Sequence, residues 1–173
     1  THYINNNTVL HNHMKKLQIL LPLFLLPLFL LTGCKEDNWM DWKVQNELWL
    51  KQNLLNDSSV IQTSSGLQYK ILHKGNTTDA KPGKYSTVYI DYKGWLINGY
   101  VFDQAAYASL NLSSVVTGFC EGLQKIYPGG DIMLYIPYDL AYGEEGSGSE
   151  GGSAYIPPYS TLIFEIHLCA VSN

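Results

Sequence analysis

Apolar and polar residues alternate in two stretches near the C-terminal end of the chain. Ile132, Leu134 and Ile136 are interleaved with Met133 and Tyr135, and Leu162, Phe164, Ile166 and Leu168 with Ile163, Glu165 and His167. A period of two sends successive side chains to opposite faces, so both stretches predict strands. Leu67–Leu72 and Thr87–Leu96 predict two more. Ile97-Asn98-Gly99 then makes a hairpin turn, and Tyr100–Asp103 returns from it. Two segments break this rhythm. Residues 38–55 space Trp39, Trp42, Leu48, Trp49, Leu50, Leu54 and Leu55 closer to 3.6 than to 2, which predicts a helix with a broad apolar face, ended by Asn56-Asp57-Ser58-Ser59. Val115 and Val116 lead into a second, short helix over about 117–126. The expected class is α+β: an antiparallel sheet wrapped around a short helix and preceded by a helical stem.

The two C-terminal strands are separated by a long loop punctuated by Pro137, Gly143 and Pro157-Pro158. A loop of this length inside a compact domain is usually functional or disordered. It carries Tyr142 and Ile156 at its two ends, beside the strand that holds Phe164. That arrangement predicts the rim and wall of an apolar pocket.

Toward the start, Met14-Lys15-Lys16 precedes a nearly unbroken apolar run from Leu17 to Leu31, and then Thr32-Gly33-Cys34. The run is shorter than the about 20 residues that a membrane-spanning helix needs, and it has the layout of an export signal. Leu31-Thr32-Gly33-Cys34 resembles a bacterial lipobox, which implies that Cys34 is lipidated and anchors the chain to a membrane. The acidic pair Glu36-Asp37 behind it resembles surface-export signals of Bacteroidetes lipoproteins, or is a solvated tether. The expected organisation is a leader over 1–13, a lipoprotein signal over 14–33, a tether and helical stem over 34–62, and a globular domain over 63–173.

Charge narrows the chemistry. All 11 basic residues are Lys, none is Arg, and the net charge is −4. Nucleic-acid recognition leans on Arg and on basic patches, so it is excluded as a partner class. His73 and His167 stand isolated in the sequence, and no metal ligand set or cofactor motif is expected. The Gly-rich loop over 143–152 is acidic and is followed by no helix, which argues against a phosphate cradle. Cys120 and Cys169 could pair in an oxidising compartment, but two buried thiols are the favoured expectation.

Several separate motifs in fixed order carry a more specific signal. Ala141-Tyr142-Gly143, a loop, Ile156-Pro157-Pro158, two residues and Thr161-Leu162-Ile163-Phe164 resemble the FKBP-type peptidyl-prolyl cis/trans isomerases. So do Val88–Leu96, Asn98-Gly99, Val101-Phe102-Asp103, Val115–Phe119, Glu121-Gly122-Leu123 and Pro128-Gly129-Gly130. The resemblance spans roughly residues 64–173. It implies Tyr92, Asp103 and Tyr142 as catalytic residues: Tyr142 donating its hydroxyl to a peptide carbonyl, and Asp103, held by Tyr92, beside the twisting amide. It implies Phe102, Val115, Val116, Phe119, Ile156 and Phe164 as the substrate-binding residues around a proline ring. Phe119 takes a floor position that is usually Trp in the family. The segment from Gln104 to Leu112 is shorter than usual, leaving Tyr107 as the nearest candidate for an aromatic that overhangs the pocket.

Such a site needs neither nucleophile nor metal. Amide resonance opposes rotation by about 18–20 kcal/mol, and for Xaa-Pro bonds the two isomers are close in energy, so the barrier alone is limiting. An apolar pocket can favour the twisted amide over the planar one. The resemblance therefore implies isomerisation of proline-containing peptides and unfolded exported proteins in the cell envelope, and binding of an FK506- or rapamycin-like macrocycle. The rival readings are a peptide-binding or chaperone lipoprotein that kept the fold without turnover, and a structural lipoprotein that uses its Trp-rich stem.

Overall fold

A computed structural model of the chain describes residues 39–172. The expected leader and export signal, with Cys34 and the acidic pair, lie outside the described residues. The described residues fall within one compact unit. It contains α1 (Trp39–Asn56), β1 (Ile61–Gln62), β2 (Gln68–His73), β3 (Thr87–Trp95), β4 (Val101–Asn111), α2 (Thr117–Leu123), β5 (Gly130–Ile136) and β6 (Leu162–Ser172). The six strands form one sheet in the order β1-β2-β5-β6-β3-β4, with every neighbouring pair antiparallel.

Strand alternation decides which side chains face inward. Val88 and Ile90 of β3, Ile132, Leu134 and Ile136 of β5, and Leu162, Ile166 and Leu168 of β6 are essentially fully buried on the concave face. Phe119 and Leu123 of α2 fill the same core. α2 can sit this close because Gly122 meets β5 with no side chain of its own; a Cβ there would collide with Leu134.

The outer face is built differently. Its rows run across four strands in register. One row is Asp91, His167, Asp131 and His73; the next is Lys93, Glu165, Met133 and Lys70. His167 Nδ1 lies 2.7 Å from Asp131 Oδ1, and His73 Nδ1 lies 2.8 Å from the Gly129 carbonyl and 3.9 Å from Asp131 Oδ2. The two histidines, isolated in sequence, thus share one carboxylate, because antiparallel registry sets residues of β2, β5 and β6 side by side.

α1 covers the other end of this face, over Tyr135 and Ile163, with Trp49, Leu50 and Leu54. The ring centroids of Trp49 and Tyr135 are 5.7 Å apart. Polar groups complete the contact. Gln68, 2% exposed, receives a hydrogen bond from Asn53 Nδ2 at 2.9 Å and donates to the Leu50 carbonyl at 3.1 Å. Leu48 and Leu55, expected on the apolar face, are exposed instead. The docked stripe is narrower than the sequence pattern, and two asparagines, Asn46 and Asn53, occupy part of it. Beyond α1, Lys70 Nζ meets Asp57 Oδ2 at 2.8 Å. The Lys70 hydrogen bond holds the Asp57 carboxyl at about 2, below its ordinary value, helped by bonds from Ser59.

β4 is longer than expected. Asp103 is not its end; the strand continues to Asn111, although most of its side chains are exposed. Two irregularities interrupt its pairing with β3. At the first, Phe102 is the extra residue between the pairs Gly94↔Asp103 and Trp95↔Val101. At the second, Ala106 and Tyr107 lie opposite Asp91 alone, and Tyr107 takes φ 51°. Asp91 Oδ1 accepts from the Tyr107 backbone N–H at 2.7 Å. Both thiols are free: Cys120 is buried, whereas Cys169, expected to be buried, is only partly so.

Candidate functional site

A hollow of about 230 Å³ opens on the concave side between β3, β4, β6 and α2. It is lined by Tyr92, Asp103, Leu110, Ser114, Val115, Val116, Phe119, Tyr142 and Phe164. Its floor is aromatic. Phe119 and Phe164 meet edge to face with centroids 5.0 Å apart, and Tyr92 approaches Phe119 at 6.4 Å and Phe164 at 6.3 Å. Tyr92 meets Phe119 edge to face as well, the favoured packing of aromatic quadrupoles, and is tilted against Phe164. Phe102 stands behind Phe164, with centroids 5.4 Å apart, and is 7% exposed. Both rings need Gly94, since a Cβ there would lie 2.7 Å from atoms of each.

The irregularity at Phe102 explains the order of residues along β4. In regular pairing, neighbours point to opposite faces. The extra residue lets Phe102 enter the core while Asp103, next in the chain, still reaches the hollow. There Asp103 Oδ2 accepts from the Tyr92 hydroxyl at 2.7 Å. Burial, then the bond to Asp103 and the nearby Asp103 and Tyr142 charges, push the Tyr92 phenol well above its ordinary range. Tyr92 therefore remains a proton donor and holds the carboxylate at the mouth of the hollow.

The rim comes from two loops. Val116 accepts from the Phe119 and Cys120 backbone N–H groups as α2 begins, and its own N–H donates to no described residue. Tyr142 is 42% exposed, and its hydroxyl bonds to no described residue. The long loop is braced by Ser147 and Ile156, which exchange two backbone bonds of 2.8 Å. Ile156 is 4% exposed and joins the core cluster; it is not among the lining residues.

Of the residues singled out in the sequence, Tyr92, Asp103, Val115, Val116, Phe119, Tyr142 and Phe164 line one hollow. Phe102 and Ile156 support it from behind. Tyr107 does not overhang it: its exposed ring stacks on Tyr89, with centroids 5.4 Å apart. Leu110 and Ser114 line the hollow instead. Leu110 gives no signal in the sequence because the Ala-rich stretch before it carries no strong alternation of large apolar and polar residues. A larger hollow, about 370 Å³, lies between the hairpin tip and the long loop, lined by Leu96, Asn98, Tyr100, Gly151, Gly152, Tyr155 and Pro157. It has no acid among its lining residues and no stacked aromatic floor. Among the described residues, no group of three or more His, Cys, Asp or Glu is placed to hold a metal ion.

The family model described as FKBP-type peptidyl-prolyl cis-trans isomerase matches residues 78–169. The chain belongs to this family. It is 38% identical over 133 residues to a probable FKBP-type peptidyl-prolyl cis-trans isomerase, FkpA, of Neisseria meningitidis, covering 75% of this chain and 46% of that protein. It is 39% identical over 135 residues to the outer membrane protein MIP of Legionella longbeachae, covering 76% of this chain and 54% of that protein. The chain thus spans about half the length of these relatives. Among solved structures, the FKBP-type fold of FkpA from Escherichia coli matches with a TM-score of 0.69 at 34% identity, over 77% of this chain and 60% of that one. A peptidyl-prolyl cis-trans isomerase from Pseudomonas syringae matches with a TM-score of 0.67 at 31% identity, over 78% of this chain and 96% of that one. The α+β reading, an FKBP-like sheet around a short helix with a helical stem before it, holds.

Proposed function

We propose that this FKBP-type chain catalyses cis/trans isomerisation of Xaa-Pro bonds in unfolded exported proteins. The observation that carries the reading is the Tyr92–Asp103 pair at the mouth of an apolar hollow floored by Phe119 and Phe164. In this reading the proline ring seats on Phe119 between Tyr92 and Phe164. The Tyr142 hydroxyl and the Val116 N–H, neither of which has a partner among the described residues, take up carbonyls of the bound peptide. Rotation about the amide weakens resonance and reduces the dipole of its carbonyl. A dry aromatic site disfavours the planar, strongly polar amide more than the twisted one, so the barrier falls. The Asp103 carboxylate interacts with the amide as its charge distribution changes.

The catalytic machinery lies within residues 63–173. The export signal and Cys34 suggest that the chain is lipid-anchored in the cell envelope, and the name of the Legionella relative agrees with an envelope setting. Replacing Cys34 with Ala should release the protein from membranes; unchanged fractionation, with no acyl label on the wild type, would refute the anchor.

The test of function is a proline-isomerisation assay on the wild type, with and without an FK506- or rapamycin-like macrocycle as competitor. Asp103→Leu keeps an apolar volume and removes the charge, so it should lower kcat while peptide binding is largely retained. Phe119→Ala should weaken binding of the proline ring, whose burial is worth ~1.5–3 kcal/mol. Wild-type activity in both variants would overturn the site assignment. An inactive wild type that still binds proline peptides would make the chain a binding module.

A further inference from the structure

The long loop that carries Tyr142 and Ile156 has its two roots at Tyr138–Gly143 and Tyr159–Thr161. Both roots touch the stem helix. Lys43 Nζ lies 5.5 Å from the Tyr138 ring centroid and 4.9 Å from that of Tyr159. These rings meet edge to face, with centroids 5.3 Å apart. Hydrogen bonding to Tyr138 raises the Lys43 pKa further, so the ammonium stays charged over the rings. One residue earlier, Trp42 Nε1 donates to Ser160 Oγ at 3.0 Å, and that hydroxyl donates to the Pro157 carbonyl at 2.7 Å. One turn later, Asn46, fully buried, accepts the Thr161 N–H at 2.7 Å and donates to the Trp42 carbonyl at 2.8 Å.

The second root is also where the backbone is strained. Tyr159 takes φ 59°, a left-handed conformation unusual for an aromatic residue. Such a conformation persists only where surrounding contacts over-determine it. Here the Tyr159 N–H donates to the Gly143 carbonyl at 3.0 Å, closing the loop at its base, while Lys43 covers the ring. Three side chains on one turn and a half of α1 therefore fix both ends of the segment that presents Tyr142.

We infer that Trp42, Lys43 and Asn46 of the stem are positioning residues for the isomerase site, holding the Tyr142–Ile156 loop in its peptide-binding geometry. This rests on the function proposed above. The stem is then a brace: it touches no substrate, yet sets how far the loop must be reordered when a peptide binds. Loosening the brace should raise KM more than it lowers kcat, because Tyr142 holds the peptide in ground and transition states alike.

The experiment compares Trp42→Phe and Lys43→Met with Leu54→Ala, which weakens the docking of α1 at its far end and leaves the loop roots intact. All are made in the full chain and assayed where each is fully folded. We expect KM for a proline peptide to rise roughly three- to tenfold in Trp42→Phe and Lys43→Met, the scale of one or two side chains reordered on binding. Leu54→Ala should leave it unchanged at equal or greater loss of stability. Amide exchange is a second readout, independent of activity. The Ser147, Ile156 and Tyr159 amides should exchange faster in the first two variants only. Exchange rates and KM that track global stability alike in all three variants would overturn the brace. A wild type without isomerase activity would refute the proposed function, while the exchange comparison would still decide whether the stem orders the loop.

Discussion

The two faces of the sheet are covered by helices that work by different chemistry. α2 fills the concave face chiefly with the apolar side chains of Phe119 and Leu123, which are almost fully buried. α1 covers one end of the convex face with Trp49, Leu50 and Leu54 but also with Asn46 and Asn53, which bond to named partners on β2 and on the loop root. Apolar burial is non-directional and tolerates small shifts. Hydrogen bonds are directional and expensive to leave unmade. The concave side thus holds the fold together, whereas the convex side fixes where particular segments lie.

The comparison can be broken from either side. Its largest test is Leu134→Ala on the concave face. Leu134 is 0% exposed and packs on Gly122, so its truncation should cost ~2–5 kcal/mol in a urea unfolding experiment. A loss below that of any convex-face variant would mean that the core is not where stability resides. Next comes Asn46→Ala, which leaves the buried Thr161 N–H without its partner. That should cost about 1–3 kcal/mol, and an isosteric Asn46→Leu should not restore it. Full rescue by Leu would show that α1 docks by apolar burial after all.

The smallest test is Lys70→Met. Asp57 has a folded pKa lowered to about 2, chiefly by its hydrogen bond from Lys70. A carboxyl depressed in the folded state contributes stability that is present above its unfolded pKa, near 3.9, and is lost as pH falls through the folded value. Stability of the wild type should therefore decline between about pH 4 and pH 2 more steeply than that of Lys70→Met, with little difference between them at pH 7 beyond the loss of an exposed pair. Parallel acid profiles would remove Asp57 from the account.

The concave face was legible in the sequence and much of the convex face was not, for the same physical reason. Period-two runs such as Ile132-Leu134-Ile136 announce their strand and their buried face at once, and the motif order along β3, β4, α2 and the long loop placed seven of nine candidate residues around one hollow. Asn46 and Asn53 look like solvent-facing positions of a helix until their partners, on segments far along the chain, are known. His73 and His167 look isolated because strand pairing, and not sequence proximity, brings both to Asp131. The C-terminal half of β4 was hidden by its exposed, mostly polar or small side chains, and with it the partly buried Leu110.

The irregularity at Tyr107 has a consequence for the outermost strand of the sheet. Among the described residues β4 has no neighbour on its far side, and an eleven-residue strand with free N–H and C=O groups is a template on which another extended chain could pair. A protein that handles unfolded polypeptides, as proposed here, would meet such chains constantly, and uncontrolled pairing would seed aggregates. The irregularities at Phe102 and at Ala106-Tyr107 divide the edge into short segments, and the left-handed turn at Tyr107, with its N–H already taken by Asp91, spoils the register that an invading strand would need. At the opposite edge β1 is only two residues long. The sheet thereby discourages clients from adding themselves to it, and leaves the hollow as the place where they are met.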